Sequence, residues 1–499
     1  MLRILTTKQI KDLDAYTVDH EPIASIDLME RACVAFANEF MSRFDKTKRI
    51  GIVCGTGNNG GDGLGIARLL AEGNYAVHVY VIRTSAKESD DFLKNFQRLP
   101  KKIQLHEIAT NRDPQPFEHD DILIDAIFGS GLSRPIDEPY THVIQTMNQS
   151  KAIRVAVDIP SGLLADMTSS GPIVNADVTI SFQLPKLAFL MPENGRYVGE
   201  WILVDIGLSK QYLKDAHTDL FFLTLSDIKK IIKPRSRFDH KGNYGHALLI
   251  AGSYGKMGAC VLSAKAALRS GVGLLTTHIP KEGYFIIQST VPEAMASVDV
   301  DEGVTTSIPD LQKYSAIGIG PGIGQSQETT KAMMNLMTKV TKPLVIDADA
   351  LNILAVHPEW LHSIPKKSIL TPHPKEFERI VGKWTNDFER LEKLKQFSIQ
   401  IQCIVVLKGA YSSVAFPDGS VYFNSTGNPG MATGGSGDVL TGILTSLLAQ
   451  GYSPENTARA GVFLHGLAGD LAVKEKGTHG LIASDITEWL PAAFSSLEK

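Results

Sequence analysis

Asn428-Pro-Gly-Met-Ala-Thr-Gly-Gly-Ser-Gly-Asp438, continued by Val439-Leu-Thr-Gly442, is the stretch around which this chain is organised. Four glycines precede one acid, and an apolar run of helical length, Val439 to Leu448, follows. Bare backbone N–H groups that open into a helix N-terminus make a ready anion site. Gly434, Gly435 and Gly437 let that backbone come close to a phosphate, and Asp438 falls in the first helical turn. A carboxylate beside a phosphate is disfavoured by like-charge repulsion unless it handles a proton. The stretch therefore points to phosphoryl chemistry, with Asp438 as the base that takes a proton from an attacking hydroxyl. The plainer alternative is a flexible turn capping a helix, with Asp438 set against the helix dipole.

At 499 residues the chain is long for one domain, and two or three are expected. Its 43% hydrophobic and 21% charged content suits a soluble α/β protein, and a net charge of −4 gives no reason to expect nucleic acid or an anionic membrane as partner. Cys33, Cys54, Cys260 and Cys403 lack CxxC spacing, so they read as reduced core residues rather than as disulfides or zinc ligands. The start, Met-Leu-Arg-Ile-Leu-Thr-Thr, has no signal-peptide core, acids arrive early at Asp12 and Asp14, and no apolar run approaches membrane-spanning length. A cytoplasmic protein is expected.

Working from the N-terminus, Thr7 to Val18 and Ser25 to Phe44 predict helices, the second with Ser25 as N-cap. Arg49 to Gly55 is a short apolar strand that runs into Thr56-Gly-Asn-Asn-Gly-Gly-Asp-Gly63, a helix from Leu64 to Glu72, and a strand from Tyr75 to Ile82. This βαβ unit carries a glycine-rich turn where ligands bind in doubly wound sheets, though the turn is not GxGxxG. Asp121 to Phe128 ends in a second glycine turn, Gly129 to Pro135, and Ala152 to Val157 ends in Asp158-Ile-Pro-Ser-Gly162. Polar groups at three strand ends (Asn58, Asn59 and Asp62; Asp125; Asp158 and Ser161) would converge on one crevice suited to a hard cation. Turn-forming Asn and Asp are the competing explanation for any one of them. Thr179 to Leu190 and Trp201 to Ile206 complete the sheet, and Lys186, alone among apolar residues, is expected to snorkel.

A linker is placed near 209–222, after which a second β/α alternation begins. His246 to Ala251 closes on Gly252-Ser-Tyr-Gly-Lys-Met-Gly258, and Ala316 to Gly324 enters a second glycine loop. Leu344 to Leu351 is a strand ending in Asp347 and Asp349, a place for Mg²⁺ near phosphates. His373 sits between two prolines, and Ile404 to Tyr411 delivers Lys408 beside Gly409, whereas His465 reads as structural.

Together these stretches closely resemble the bifunctional NAD(P)H-hydrate repair enzymes over nearly the whole chain. The resemblance rests on Gly57 to Gly63, Asp125 to Leu132, Val157 to Gly162, Gly320-Pro-Gly322, Asp347 to Asn352, Thr371-Pro-His-Pro374, Leu407-Lys-Gly409 and Asn428 to Gly442. It implies an α/β protein of two domains. A Rossmann-like doubly wound sheet over 1–215 would be an NAD(P)HX epimerase. A ribokinase-like α/β domain over 223–499 would be an ADP-dependent NAD(P)HX dehydratase.

Residue by residue, the resemblance implies that Asn58, Asn59, Gly60, Gly61 and Asp62 hold the hydrated nucleotide. Gly129, Ser130, Gly131, Leu132, Ser133, Arg134, Pro135 and Asp158 would do so as well. Asn59, Asp125 and Ser161 would ligate K⁺, while Asp158 and Lys186 would transfer protons at the epimerising carbon. In the second domain Ala259, Gly322, His373 and Asp438 would contact the hydrate. Lys408, Gly409, Ala410, Tyr411, Ser412 and Gly437 would bind ADP, accompanied by Mg²⁺. The partners implied are NADHX, NADPHX and ADP, in a homo-oligomer. Gly255-Lys-Met-Gly258 departs from the family's usual Tyr-Thr pair, and Lys375 stands where the family often has Gly. Two rivals remain at this stage: an ATP-dependent kinase of a small alcohol such as a thiazole or pyrimidine precursor, and a nucleotide-sensing binding protein.

Overall fold

The computed structural model describes residues 1–84, 87–111, 117–132 and 136–498. The chain divides into two compact units, one of Leu2–Thr218 with Asn386–Phe388, the other of Met1, Asp219–Thr385 and Glu389–Lys499. Each is an α/β unit on a largely parallel sheet. No helix among the described residues is long and apolar enough to cross a membrane.

In the N-terminal unit seven strands form one all-parallel sheet. They are β1 (Arg49–Cys54), β2 (Ala76–Ile82), β3 (Gln104–Ile108), β4 (Ile122–Ala126), β5 (Ile153–Val157), β6 (Val178–Phe182) and β7 (Glu200–Val204), in the order 3-2-1-4-5-6-7. Helices on both faces explain why β1 and β4 read as unbroken apolar runs: Ile50, Ile52 and Ile122 are all fully buried. The strand order reverses between β1 and β4, and a crevice opens at their carboxyl ends.

Several expectations change here. The helix after β1 is Asn58–Glu72, so the glycine-rich segment is its first turns rather than a loop before Leu64. Gly60 makes this possible, since a Cβ there would lie 1.8 Å from the Gly55 carbonyl oxygen. Helix Ser25–Arg43 is capped at Ala24, whose N–H donates to Asp27 (3.2 Å), while the Ser25 hydroxyl donates to Asp91 (2.6 Å). The strand expected to reach Leu190 stops at Phe182, and Leu187–Leu190 is a 3₁₀ turn. The segment assigned to a linker holds a helix, Lys210–Asp215, and a strand, Leu220–Phe222.

That last strand, β8, opens the C-terminal unit. It is followed by β9 (His246–Ile250), β10 (Leu274–Ile279), β11 (Met295–Val298), β12 (Ala316–Ile319), β13 (Leu344–Ile346), β14 (Ile369–Leu370), β15 (Ile404–Leu407), β16 (Ser413–Ala415) and β17 (Val421–Phe423). The sheet order is 8-17-16-15-14-13-12-9-10-11, with β16 antiparallel to both neighbours and the other pairs parallel. The order reverses between β9 and β12, so the loops after these strands flank the switch point. Strand β13 ends at Ile346, and Asp349 begins a helix, Asp349–Val356, instead of ending the strand. The apolar run after Asp438 becomes helix Ser436–Ala449, buried along most of its length. All four cysteines are free and buried, Cys33 and Cys54 in the first unit, Cys260 and Cys403 in the second.

Candidate active sites

The N-terminal crevice has a volume of about 480 Å³. It is lined by Asn58, Asn59 and Asp62 from the helix after β1, by Gly129, Ser130, Gly131 and Leu132 after β4, and by Asp158 after β5. Lys186 reaches it too, so the expected strand ends converge. Gly60 and Gly61 do not line it; they let the helix pack, Gly61 against Met29 and Phe92. Ser133, Arg134 and Pro135 lie outside the described residues. Ile10, Lys11 and Asp14 of helix Thr7–His20 also line the crevice, and nothing in their sequence spacing had marked them.

Asp158 has φ +66°, a conformation that costs a residue with a Cβ energy and that is retained where surroundings over-determine it. Its Oδ1 accepts from Lys186 Nζ (2.5 Å), the Ser181 hydroxyl (3.2 Å) and the Phe182 N–H (3.1 Å). Lys186 does not snorkel: it is 2% exposed, and its ammonium also donates to the Ser181 hydroxyl and the Phe182 carbonyl. Burial pushes the Asp62 carboxyl well above the usual range, helped by the charges of Asp158, Asp14 and Asp91.

Beneath the crevice Asp125 is fully buried. It accepts from the Ser161 hydroxyl (2.6 Å), the Ser161 N–H (2.7 Å) and the Ile127 N–H (3.2 Å). Burial still pushes its carboxyl up to about 6 against those bonds, because no cation pairs with it among the described residues. The Asn59 Nδ2 is buried without a partner. Amide N and O are assigned only through such partners, so that atom serves equally as an oxygen. An uncompensated carboxylate, a hydroxyl and an unassigned amide fit a weakly hydrated hard cation. No group of three or more His, Cys, Asp or Glu among the described residues is arranged to hold a metal.

In the C-terminal unit a cavity of about 460 Å³ lies at the switch point, lined by Gly255, Lys256, Gly258 and Ala259 after β9 and by Gly322 after β12. Ala348, Asp349, Asn352, Glu376 and Asp438 complete it. Gly435, at φ +90°, turns the chain into helix Ser436–Ala449, and the N–H groups of Gly437 and Asp438 find no acceptor among the described residues. Burial, then the nearby Asp347 charge, pushes the Asp438 carboxyl up to about 6, against the pull of Lys408.

Lys408 Nζ donates to Asp347 Oδ1 (2.8 Å), whose Oδ2 accepts from Thr441 (2.7 Å). A Cβ on Gly437 would lie 3.2 Å from Lys408 Nζ, so the ammonium stands beside the glycine loop. Gly409–Ser412 is a tight turn closed by the Ser412 hydroxyl donating to the Gly409 carbonyl (3.0 Å), with Tyr411 at φ +52° and Ala410 exposed. His373 caps helix Pro374–Val381: its Nδ1 accepts from the N–H groups of Lys375 (3.1 Å) and Glu376 (3.3 Å), which fixes Glu376 in the cavity wall. His465 holds the Ser436 carbonyl (3.0 Å) at the loop's exit, and burial drives its pKa down to about 4, so the ring is neutral.

Both units of the chain resemble known proteins. Residues 25–188 match the family model described as YjeF-related protein N-terminus, and 247–492 match that described as NAD(P)H-hydrate dehydratase. The bifunctional NAD(P)H-hydrate repair enzyme of Moorella thermoacetica is 35% identical over 99% of this chain and 97% of its own length. That of Coxiella burnetii is 34% identical over 97% and 98%. Among solved structures, a ribokinase-like superfamily protein of Enterococcus faecalis aligns with 56% of this chain and 98% of its own at 25% identity and TM-score 0.50. An ADP/ATP-dependent NAD(P)H-hydrate dehydratase of Bacillus subtilis does so at 32% identity, TM-score 0.49, over 56% and 98%. With such identity sustained over nearly all of both chains, and two family models matched in the same order along it, this chain belongs to the bifunctional NAD(P)H-hydrate repair enzymes.

Proposed function

We infer that the chain repairs hydrated NADH and NADPH, epimerising R- and S-NAD(P)HX in the first unit and dehydrating the S form in the second, with ADP converted to AMP and phosphate. The observation that carries this reading is Asp438 in the first helical turn, beside unpaired N–H groups and the Lys408–Asp347 pair. A half-buried carboxyl near 6 is largely ionised at neutral pH yet basic enough to take a hydroxyl proton. The hydrate's oxygen then attacks the terminal phosphorus of ADP, the bond to AMP breaks, and the phosphate ester formed is a far better leaving group than hydroxide. Elimination restores the dihydronicotinamide. The loop N–H groups and Lys408 stabilise charge on the transferring phosphoryl group.

Mg²⁺ bound with ADP would supply further charge neutralisation, and the donors at hand are Asp347 and Asp349. With Asp438 and Glu376 near them, an anionic nucleotide would otherwise meet excess negative charge. In the first unit Asn59, Asp125 and Ser161 would hold K⁺, which would settle the buried Asp125 charge, and Asp158 with Lys186 would move protons at the epimerising carbon. The protein is read as a cytoplasmic homo-oligomer, which light scattering on the purified chain tests for assembly.

A kinase of a small alcohol is not favoured, since relatives spanning the full chain bear the repair-enzyme name and the N-terminal unit matches its own family model. The deciding experiment follows recovery of dihydronicotinamide absorbance from mixed-epimer NADHX with ADP, ATP or no nucleotide. Complete recovery with nucleotide, releasing AMP from ADP, is expected; no recovery, with a stable phosphorylated alcohol formed instead, overturns the reading.

A further inference from the structure

Helix Thr7–His20 has a fixed seat in the N-terminal unit. Thr6 and Gln9 form a capping box, the Thr7 N–H donates to Asp166 (2.8 Å), and Thr17, fully buried, accepts from the Ser209 N–H (3.0 Å). Ile10, Lys11 and Asp14, spaced along one helical face, are thereby held in the crevice wall. Asp14 makes no hydrogen bond and no ion pair among the described residues. Asp158, in the same crevice, is tied to Lys186, Ser181 and the Phe182 N–H. The crevice thus presents three carboxyl groups on different elements: Asp158 clamped in an ion pair, Asp62 accepting from the Cys33 thiol (3.9 Å), and Asp14 with its oxygens unengaged.

We propose that Asp14 is a second catalytic acid–base group of the epimerase crevice, working with the Asp158–Lys186 pair on the hydrated nicotinamide ring. The proposal rests on the epimerase reading of this unit. Burial is the first cause holding the Asp14 carboxyl up to about 6, followed by the Asp158 charge, with Lys186 opposing. Among the described residues, the other charged groups of that crevice are Lys11 on the same helix and Asp62. Two carboxyl groups facing one substrate, one held in an ion pair and one unengaged, divide the roles of acid and base between them.

Hydration of the dihydropyridine ring leaves a hydroxyl on the carbon next to the ring nitrogen. Protonated Asp14 donates to that hydroxyl, the C–O bond breaks with its electron pair leaving on water, and the nitrogen lone pair forms C=N⁺. Water adds to the other face of the carbon and gives its proton to Asp158. The hydrate is inverted and one proton has moved from Asp14 to Asp158. The reverse reaction exchanges the two roles, so one singly protonated pair serves both directions.

The test uses the full chain, one purified NADHX epimer and no adenine nucleotide, so that nothing is dehydrated while the R/S ratio is followed by chromatography. Asp14→Asn is expected to lower kcat for equilibration by about 10²-fold with KM within about threefold. The decline of the wild-type rate above about pH 6, where the shared proton is lost, should vanish with it. Asp14→Glu should restore part of the rate and that decline, and Asp12→Asn, exposed on the same helix, should change neither. Asp14→Ser stands in if the Asn variant unfolds by circular dichroism. Equilibration by the Asn variant at the wild-type rate overturns the proposal, as does a loss confined to KM with an unchanged pH profile. A wild-type chain that fails to equilibrate the epimers refutes the epimerase reading instead.

Discussion

Replacing Asp438 with asparagine should move stability and activity in opposite directions. Burial and Asp347 raise the carboxyl from 3.8 to about 6, so at neutral pH the folded chain carries an ionised group that its surroundings disfavour. A rise of that size corresponds to at most about 3 kcal/mol, and partial exposure of the side chain trims it towards about 2 kcal/mol. Because the folded value lies above the unfolded one, the cost is full above about pH 6, fades as pH falls towards 3.8, and is absent below. The side chain has no hydrogen bond among the described residues for the amide to forfeit.

The Asp438→Asn protein is therefore expected to be more stable than wild type by about 2 kcal/mol at neutral pH and equal to it near pH 3.5, by urea titration. Dehydration of S-NADHX should fall by about 10²–10⁴-fold, with R/S equilibration untouched. In the wild type the dehydration rate should drop about tenfold per pH unit below about 6. A variant less stable than wild type at neutral pH refutes the electrostatic account, and one that keeps dehydration within about tenfold refutes the role as base.

Three further outcomes follow from the geometry. Lys408→Met leaves Asp347, 1% exposed, with Thr441 as its remaining side-chain partner, and should destabilise the C-terminal unit by about 3–5 kcal/mol in urea. Gly60→Ala drives a Cβ to 1.8 Å from a backbone oxygen and should cost the N-terminal unit at least about 3 kcal/mol, seen as a lower Tm and lost epimerisation. Exchanging potassium for a bulky organic cation should slow epimerisation while leaving dehydration unchanged, and Asp125→Asn should blunt that sensitivity.

Strand ends were legible because parallel strands buried on both faces must be apolar, so the first polar residues after Cys54, Ala126 and Val157 announce the crevice. Asp438 was legible because glycines crowd one acid. Asp14 was not, since its place depends on a helix whose seat is fixed by Asp166 and Ser209, far away in sequence. Lys186 was misjudged for a related reason: an isolated lysine among apolar residues snorkels unless a buried carboxylate waits for it, and Asp158 lies 28 positions upstream. The helix beginning at Asn58 eluded a local reading because Gly60 and Gly61 are poor helix formers that only tight packing justifies. His373 stood out between prolines, and one of its two ring nitrogens, Nδ1, serves as a helix cap, a role that its local sequence did not announce.

The placing of the four thiols has a practical consequence. Burial raises Cys33, Cys54, Cys260 and Cys403 well above the range in which thiolates react, the last two to about 12. An alkylating reagent therefore reaches them only when the surrounding structure opens, at a rate set by the free energy of that opening. With two in each unit, the chain carries its own pair of reporters. Mass spectrometry of alkylated peptides would time the opening of each half separately, and bound hydrate or ADP should slow the clock in its own half alone.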